Sequence, residues 1–175
     1  GLPLNPSFEI TPFHVQVASV PFDGGETKYL SEGDAPVISP DSKTVTFIKG
    51  GQAWTAPIDG AVIAKNIFTT RGTVESLEYS PVDSLLLFVA SRTDHSIIGI
   101  YTNATTPIKW VAPSFNFDDA PHWSPDGKKI VFVRTPGTGG APDSVLVKKH
   151  IPWSIYTADI ATNKATLFWN AHSTL

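Results

Sequence analysis

Ser39-Pro40-Asp41, Ser80-Pro81-Val82-Asp83 and Ser124-Pro125-Asp126-Gly127 are three versions of one short phrase. Their prolines stand 41 and 44 residues apart, and a phenylalanine follows each by seven residues, at Phe47, Phe88 and Phe132. Self-similarity at a fixed period marks a repeat architecture. Each phrase has a local reason. Ser-Pro ends a strand, because proline donates no N–H and holds its predecessor extended. Asp-Gly or Asp-Ser then makes a tight turn, with glycine accepting φ > 0 and aspartate capping the turn with its side chain. The phenylalanine seven residues on points between neighbouring units and forms their shared core.

Short β-rich runs fill the spaces between the phrases. In the unit that starts at Asp34 they are 35–38, 43–48, 53–58 and 65–69. The alternation in 43–48 is that of a half-buried strand. Pro57 belongs at a bulge or strand end, where its missing N–H costs no ladder bond. The second unit reads 74–79, 84–90, 97–101 and 108–111, and the third 120–123, 128–133, 154–158 and 165–169. Four short strands in a repeat of roughly 40–45 residues make a β-propeller blade. Val20-Pro21-Phe22-Asp23-Gly24 repeats the pattern of Ala56-Pro57-Ile58-Asp59-Gly60. The chain therefore opens near a third strand. The expected fold is all-β: a partial β-propeller of about three and a half four-stranded antiparallel blades. Residues 1–175 form one domain, with a half blade at 1–33 and blades at about 34–71, 72–115 and 116–171.

Composition narrows the function. The 175 residues are 41% hydrophobic and 17% charged, enough apolar content for a sizeable core, with a net charge of −3. That balance gives no electrostatic footprint for nucleic acid, and no apolar run is long enough to span a bilayer. Gly1-Leu2-Pro3-Leu4-Asn5 lacks the basic start and apolar stretch of a secretory signal, so the sequence reads as a mature form or an excised piece. There is no cysteine, hence no disulfide, no thiolate nucleophile and no Cys-based zinc site. Asn103-Ala104-Thr105 is a sequon, an acceptor only in a eukaryotic secretory pathway.

Four stretches carry a resemblance: Gly33 to Asp41, Ser91 to Tyr101, Trp123 to Arg134 and Pro152 to Thr162. They are similar to the propeller repeats shared by TolB-like proteins and by the N-terminal domains of the prolyl oligopeptidase family, and closest to its dipeptidyl-peptidase-like members. Ser-Pro-Asp-Gly is common to many propellers. Asp94-His95-Ser96 and Pro152-Trp153-Ser154-Ile155 are more specific. The resemblance implies a non-catalytic propeller that gates or orients peptide substrates for an α/β-hydrolase domain of the same polypeptide, in a periplasmic or secreted serine peptidase. No Gly-x-Ser-x-Gly elbow occurs in these residues, so no catalytic residue is expected among them. Two alternatives stand beside this reading: a TolB-like protein-binding scaffold, and part of a propeller lyase or lactonase.

The loop from second to third strand and the connection between blades share one face of a propeller. Arg71, Arg92, Asp94, His95, Asp118, Asp119 and Arg134 fall in or beside those loops. Carboxylates and arginines there can pair with one another, dock the hydrolase domain, or hold a peptide terminus by charge-assisted hydrogen bonds. Asp94-His95 lacks the further ligands a metal needs, and His14, His122, His150 and His172 show no ligand spacing, so neither metal nor cofactor is expected. A Ser96-His95-Asp94 triad fails because neighbours on an extended chain point to opposite faces. The Gly- and Pro-rich excursion from Thr135 to Pro152 reads either as a lid or interface arm or as a mobile insertion. An unfinished ring leaves strand edges open, so self-association through them or marginal stability is expected.

Overall fold

The computed structural model describes residues 14–137 and 152–171. Strands β1 (Gln16–Ser19) and β2 (Lys28–Glu32) form a two-stranded antiparallel sheet. Three four-stranded antiparallel sheets follow, each paired in chain order: β3 (Asp34–Ile38), β4 (Thr44–Lys49), β5 (Gln52–Pro57), β6 (Lys65–Phe68); β7 (Thr73–Tyr79), β8 (Leu86–Ser91), β9 (Ser96–Tyr101), β10 (Lys109–Trp110); and β11 (Phe117–Trp123), β12 (Lys129–Thr135), β13 (Ser154–Asp159), β14 (Lys164–Asn170). Pro57 is the last residue of β5. Its carbonyl closes the turn to Gly60, as the carbonyl of Pro21 does to Gly24.

The Ser-Pro-Asp phrase is a turn held by serine as much as by aspartate. Ser39 Oγ accepts from the Thr44 amide at 3.0 Å and lies 2.6 Å from Asp41 Oδ1, which accepts from the Lys43 amide at 3.1 Å. Ser124, Lys129, Asp126 and Lys128 repeat this set at 2.9, 2.7 and 3.1 Å. Ser42 and Gly127 take the left-handed conformation at the same place. The middle turn has the same length but a different order: Val82 takes the aspartate's place, and the aspartate follows it. There Ser80 Oγ meets only the Val82 amide, and Asp83 caps Leu85.

The sheets pack face to face, and each core belongs to two neighbours. Val17 and Leu30 meet Val45, Phe47 and Ala56. Ala53, Ile48 and Phe68 meet Val74, Leu77, Leu86 and Phe88. Leu87, Val89, Ile98 and Ile100 meet Trp123, Ile130, Phe132 and Ala158. Phe47, Phe88 and Phe132 are all fully buried in these seams, each burial contributing ~1.5–3 kcal/mol. Strand β8 is covered on both sides, which explains its unbroken Leu-Leu-Phe-Val-Ala run. The tip of the Phe88 ring sits against Gly99, where a Cβ would come within 2.3 Å of it.

The first strands converge, β3 beside β7 and β7 beside β11. Each carries a bulge at one equivalent place, marked by a left-handed residue: Ala35, Ser76 or Ala120. Such a residue costs roughly 1–2 kcal/mol. Pro36 and Pro121 sit in two of these bulges, outside the ladder. The bulge also lets β11 begin at Phe117, three residues before the expected strand.

Candidate functional site

Antiparallel order sends the Ser-Pro-Asp turns to one end of each four-stranded sheet and the β4–β5, β6–β7, β8–β9 and β10–β11 connections to the other. This second end is called the rim here. Arg71, Arg92, Asp94, His95, Asp118, Asp119 and Arg134 all lie at the rim, in two linked clusters.

The first cluster is a buried ion pair. Asp118 stands at the start of β11 and is fully buried. Arg134, directly opposite on β12, grips it in a fork: Nε donates to Oδ1 at 2.6 Å and Nη2 to Oδ2 at 2.8 Å. Nη2 also donates to the Ala112 carbonyl at 3.2 Å, and the guanidinium lies 4.8 Å from the Tyr156 ring centroid. Burial leaves the Asp118 carboxyl above its ordinary value, against the opposing pull of Arg134. Asp118 in turn holds Arg134 above its ordinary value. A fork that uses both carboxylate oxygens as acceptors requires the ionised acid, so the pair is charged at neutral pH. Both carboxylate oxygens of Asp118 are thus taken by Arg134.

The second cluster is open. The β8–β9 turn is closed by the Arg92 amide on the His95 carbonyl at 2.9 Å. His95, almost fully buried, has Nδ1 2.7 Å from Asp94 Oδ1 and Nε2 3.3 Å from Arg92 Nη1. Arginine can only donate, so Nε2 accepts and the imidazole proton sits on Nδ1, facing Asp94. Arg92 Nε donates to the Arg71 carbonyl at 3.3 Å. The loop that carries Arg71 is clamped by Gln52, whose side chain bonds the Thr70 amide and the Gly72 carbonyl. The Arg71 side chain is exposed.

Ser96 joins the two clusters. Its buried hydroxyl donates to the Asp118 carbonyl at 2.9 Å and lies 3.3 Å from Asp119 Oδ1. It thus points away from the His95–Asp94 contact, and no nucleophile–base pair forms. Two residues that the sequence reading passed over belong here. Phe115, 82% exposed, packs edge-on against the His95 ring at 5.8 Å. Gly72 underlies the Arg92 stem, and a Cβ there would come within 2.1 Å of the Ser91 carbonyl oxygen. A third signal was legible but unused: a carboxylate stands five residues before each Ser-Pro, at Asp34, Glu75 and Asp119. These three occupy equivalent, exposed register positions beside the three bulges. Among the described residues no three His, Asp or Glu side chains converge as a metal would require. The excursion at 138–151 lies outside the described residues.

Solved structures share this arrangement of sheets. TolB of Agrobacterium tumefaciens, described as putative, superposes with a TM-score of 0.62 at 20% identity, over 91% of this chain and 59% of its own. The fold is a β-propeller. TolB of Acinetobacter baumannii matches at 0.61 and 20% identity, over 89% of this chain and 41% of its own. The β-propeller domain of the Trilobed protease of Pyrococcus furiosus, whose topology is an open velcro, matches at 0.61 and 18% identity, over 89% and 50%. The chain thus spans about half the length of these propellers, and at such identities the likeness is one of fold. No protein-family model and no curated protein matches the chain. No helix among the described residues is long and apolar enough to cross a membrane.

Proposed function

We propose that these residues are the non-catalytic propeller portion of a prolyl oligopeptidase family serine peptidase, and that the rim is the face that meets peptide substrates and the hydrolase domain. One observation carries this reading. The two stretches that resemble the family most specifically both fall at the rim: Asp94-His95-Ser96 makes the β8–β9 turn, and Pro152-Trp153-Ser154-Ile155 leads into β13. The generic Ser-Pro-Asp turns fall at the opposite end, where their side chains are spent on their own backbone. Two ends with different sequence character suit a domain whose one end is structural and whose other end receives a partner. The rim orients and admits extended polypeptide while the chemistry is done by residues outside this stretch. A periplasmic or secreted location goes with the proposal.

A TolB-like scaffold that binds a protein partner without any hydrolase is the second reading, supported by the shared fold of the two TolB structures. Treating the parent polypeptide with a fluorophosphonate probe separates the two. The peptidase reading expects one labelled serine outside these 175 residues, together with peptide hydrolysis that the label abolishes. A parent with no labelled serine and no hydrolysis overturns it in favour of the scaffold.

A further inference from the structure

Charged side chains at a protein surface are commonly held by opposite charges. Arg134 is, by Asp118. Arg92 is held differently. Its Nε donates to a backbone carbonyl, that of Arg71, and its Nη1 faces Nε2 of His95. Its stem lies on Gly72 (φ +94°), where a Cβ would run into the Ser91 carbonyl oxygen. His95 is itself fixed, by Asp94 on Nδ1 and by the Phe115 ring on its flank. Among the described residues no carboxylate pairs with Arg92. Arg92 is therefore held by three neighbours and neutralised by none of them, in a chain whose net charge is −3. Asp94, the nearest acid in sequence, is turned towards His95.

A pre-oriented, half-exposed guanidinium is the group that recognises a carboxylate by parallel N–H···O bonds. Holding it in advance lowers the entropy cost of binding. Against the same His95 ring stands Phe115, an exposed aromatic side chain. A cation and an apolar platform, bridged by one imidazole, match a carboxylate with an apolar side chain beside it. A polypeptide C-terminus that ends in a large apolar residue has that chemistry.

We propose that Arg92 and Phe115 form a receptor for the C-terminal carboxylate and last apolar side chain of a polypeptide, with His95 and Gly72 as positioning residues. The proposal rests on the reading of the rim as the polypeptide-facing end, and it adds the part of the polypeptide that is held. An anchored C-terminus would fix how far a substrate reaches into a peptidase, or would recruit the tail of a partner in a scaffold.

The test is calorimetric titration of the parent polypeptide, pretreated with the fluorophosphonate, with three N-acetylated peptides. One ends in leucine with a free carboxylate, the second is its amide, and the third is an amide with an internal glutamate. The free acid is expected to bind at least about tenfold tighter than either amide, the scale of one charge-assisted hydrogen bond. Arg92→Gln should lose that preference with its melting temperature unchanged. His95→Leu should weaken the free acid in the same way, and His95→Gln, which keeps an acceptor for Arg92, should restore it. Equal binding of free acid and amide, or wild-type affinity in Arg92→Gln, overturns the proposal. So does an internal-glutamate peptide that binds as well as the free acid, or no binding of any peptide. Preferential binding of the free acid, with no labelled serine in the parent, upholds the receptor while removing the peptidase.

Discussion

Replacing Asp118 by alanine would strip the carboxylate from an arginine whose side chain is only 14% exposed. Breaking a buried pair from one side typically costs 3–5 kcal/mol, because a charge is left without its partner. Arg134 keeps two supports, the Ala112 carbonyl and the Tyr156 ring face. The cost should therefore lie at the low end, about 3 kcal/mol. For a domain of this size that corresponds to a fall of about 6–12 °C in melting temperature. Asp118→Leu combined with Arg134→Met removes both charges and keeps most of the volume, and should recover most of the loss. Urea and thermal unfolding of the wild type, the single variant and the double variant read this out. A single variant within about 1 kcal/mol of wild type would refute the pair as a structural element, as would a double variant less stable than the single one.

The two regular turns should respond more to loss of serine than the irregular one. Ser124→Ala removes a hydroxyl that bonds across its turn and is expected to cost about 1–2 kcal/mol, whereas Ser80→Ala, with one weak contact, should cost less than about 1; equal losses in urea unfolding would contradict the assignment. Asp41 and Asp126 are held below the ordinary carboxyl value, chiefly by the Ser39 and Ser124 hydroxyls. A lowered value means stability present above the unfolded pKa of about 3.9 and lost as pH falls through the folded one. Melting temperature should thus drop on acidification below about pH 4, and Asp41→Asn with Asp126→Asn should flatten that drop; an unchanged slope would sink the link. Val131, Trp153 and Trp169 are exposed on or beside the β11–β14 sheet. Expressed as these 175 residues, the chain is expected to self-associate or to melt at low temperature, and a compact monomer in light scattering with a high melting temperature would contradict this.

Much of the fold was legible in the chain because repetition averages out local ambiguity. Phe47, Phe88 and Phe132 announced the inter-blade seams by spacing alone, and all three are buried there. The half blade was legible through the likeness of Pro21-Phe22-Asp23-Gly24 to Pro57-Ile58-Asp59-Gly60. The bulges were not, since a left-handed Ala35, Ser76 or Ala120 looks like any other small residue in sequence. The start of β11 was missed for that reason, because Asp118-Asp119 reads as a loop until the bulge turns one acid inward. The rim residues were readable as a set from blade topology. Their division was not. Which arginine is neutralised depends on Arg134 facing Asp118 across the β11–β12 ladder, while Arg92 faces a histidine nitrogen. Phe115 lay in a run of turn residues with no period to flag it.

The most direct test of the rim as the polypeptide-facing end is an amide chemical-shift map of the isotope-labelled chain, titrated with a peptide that ends in a free apolar residue. Shifts concentrated at Arg71, Arg92, Ser96 and Asn116, with the amides of Ser39, Ser80 and Ser124 still, are the predicted result. Shifts confined to the Ser-Pro-Asp end, or none at the rim at saturating peptide, would contradict the account.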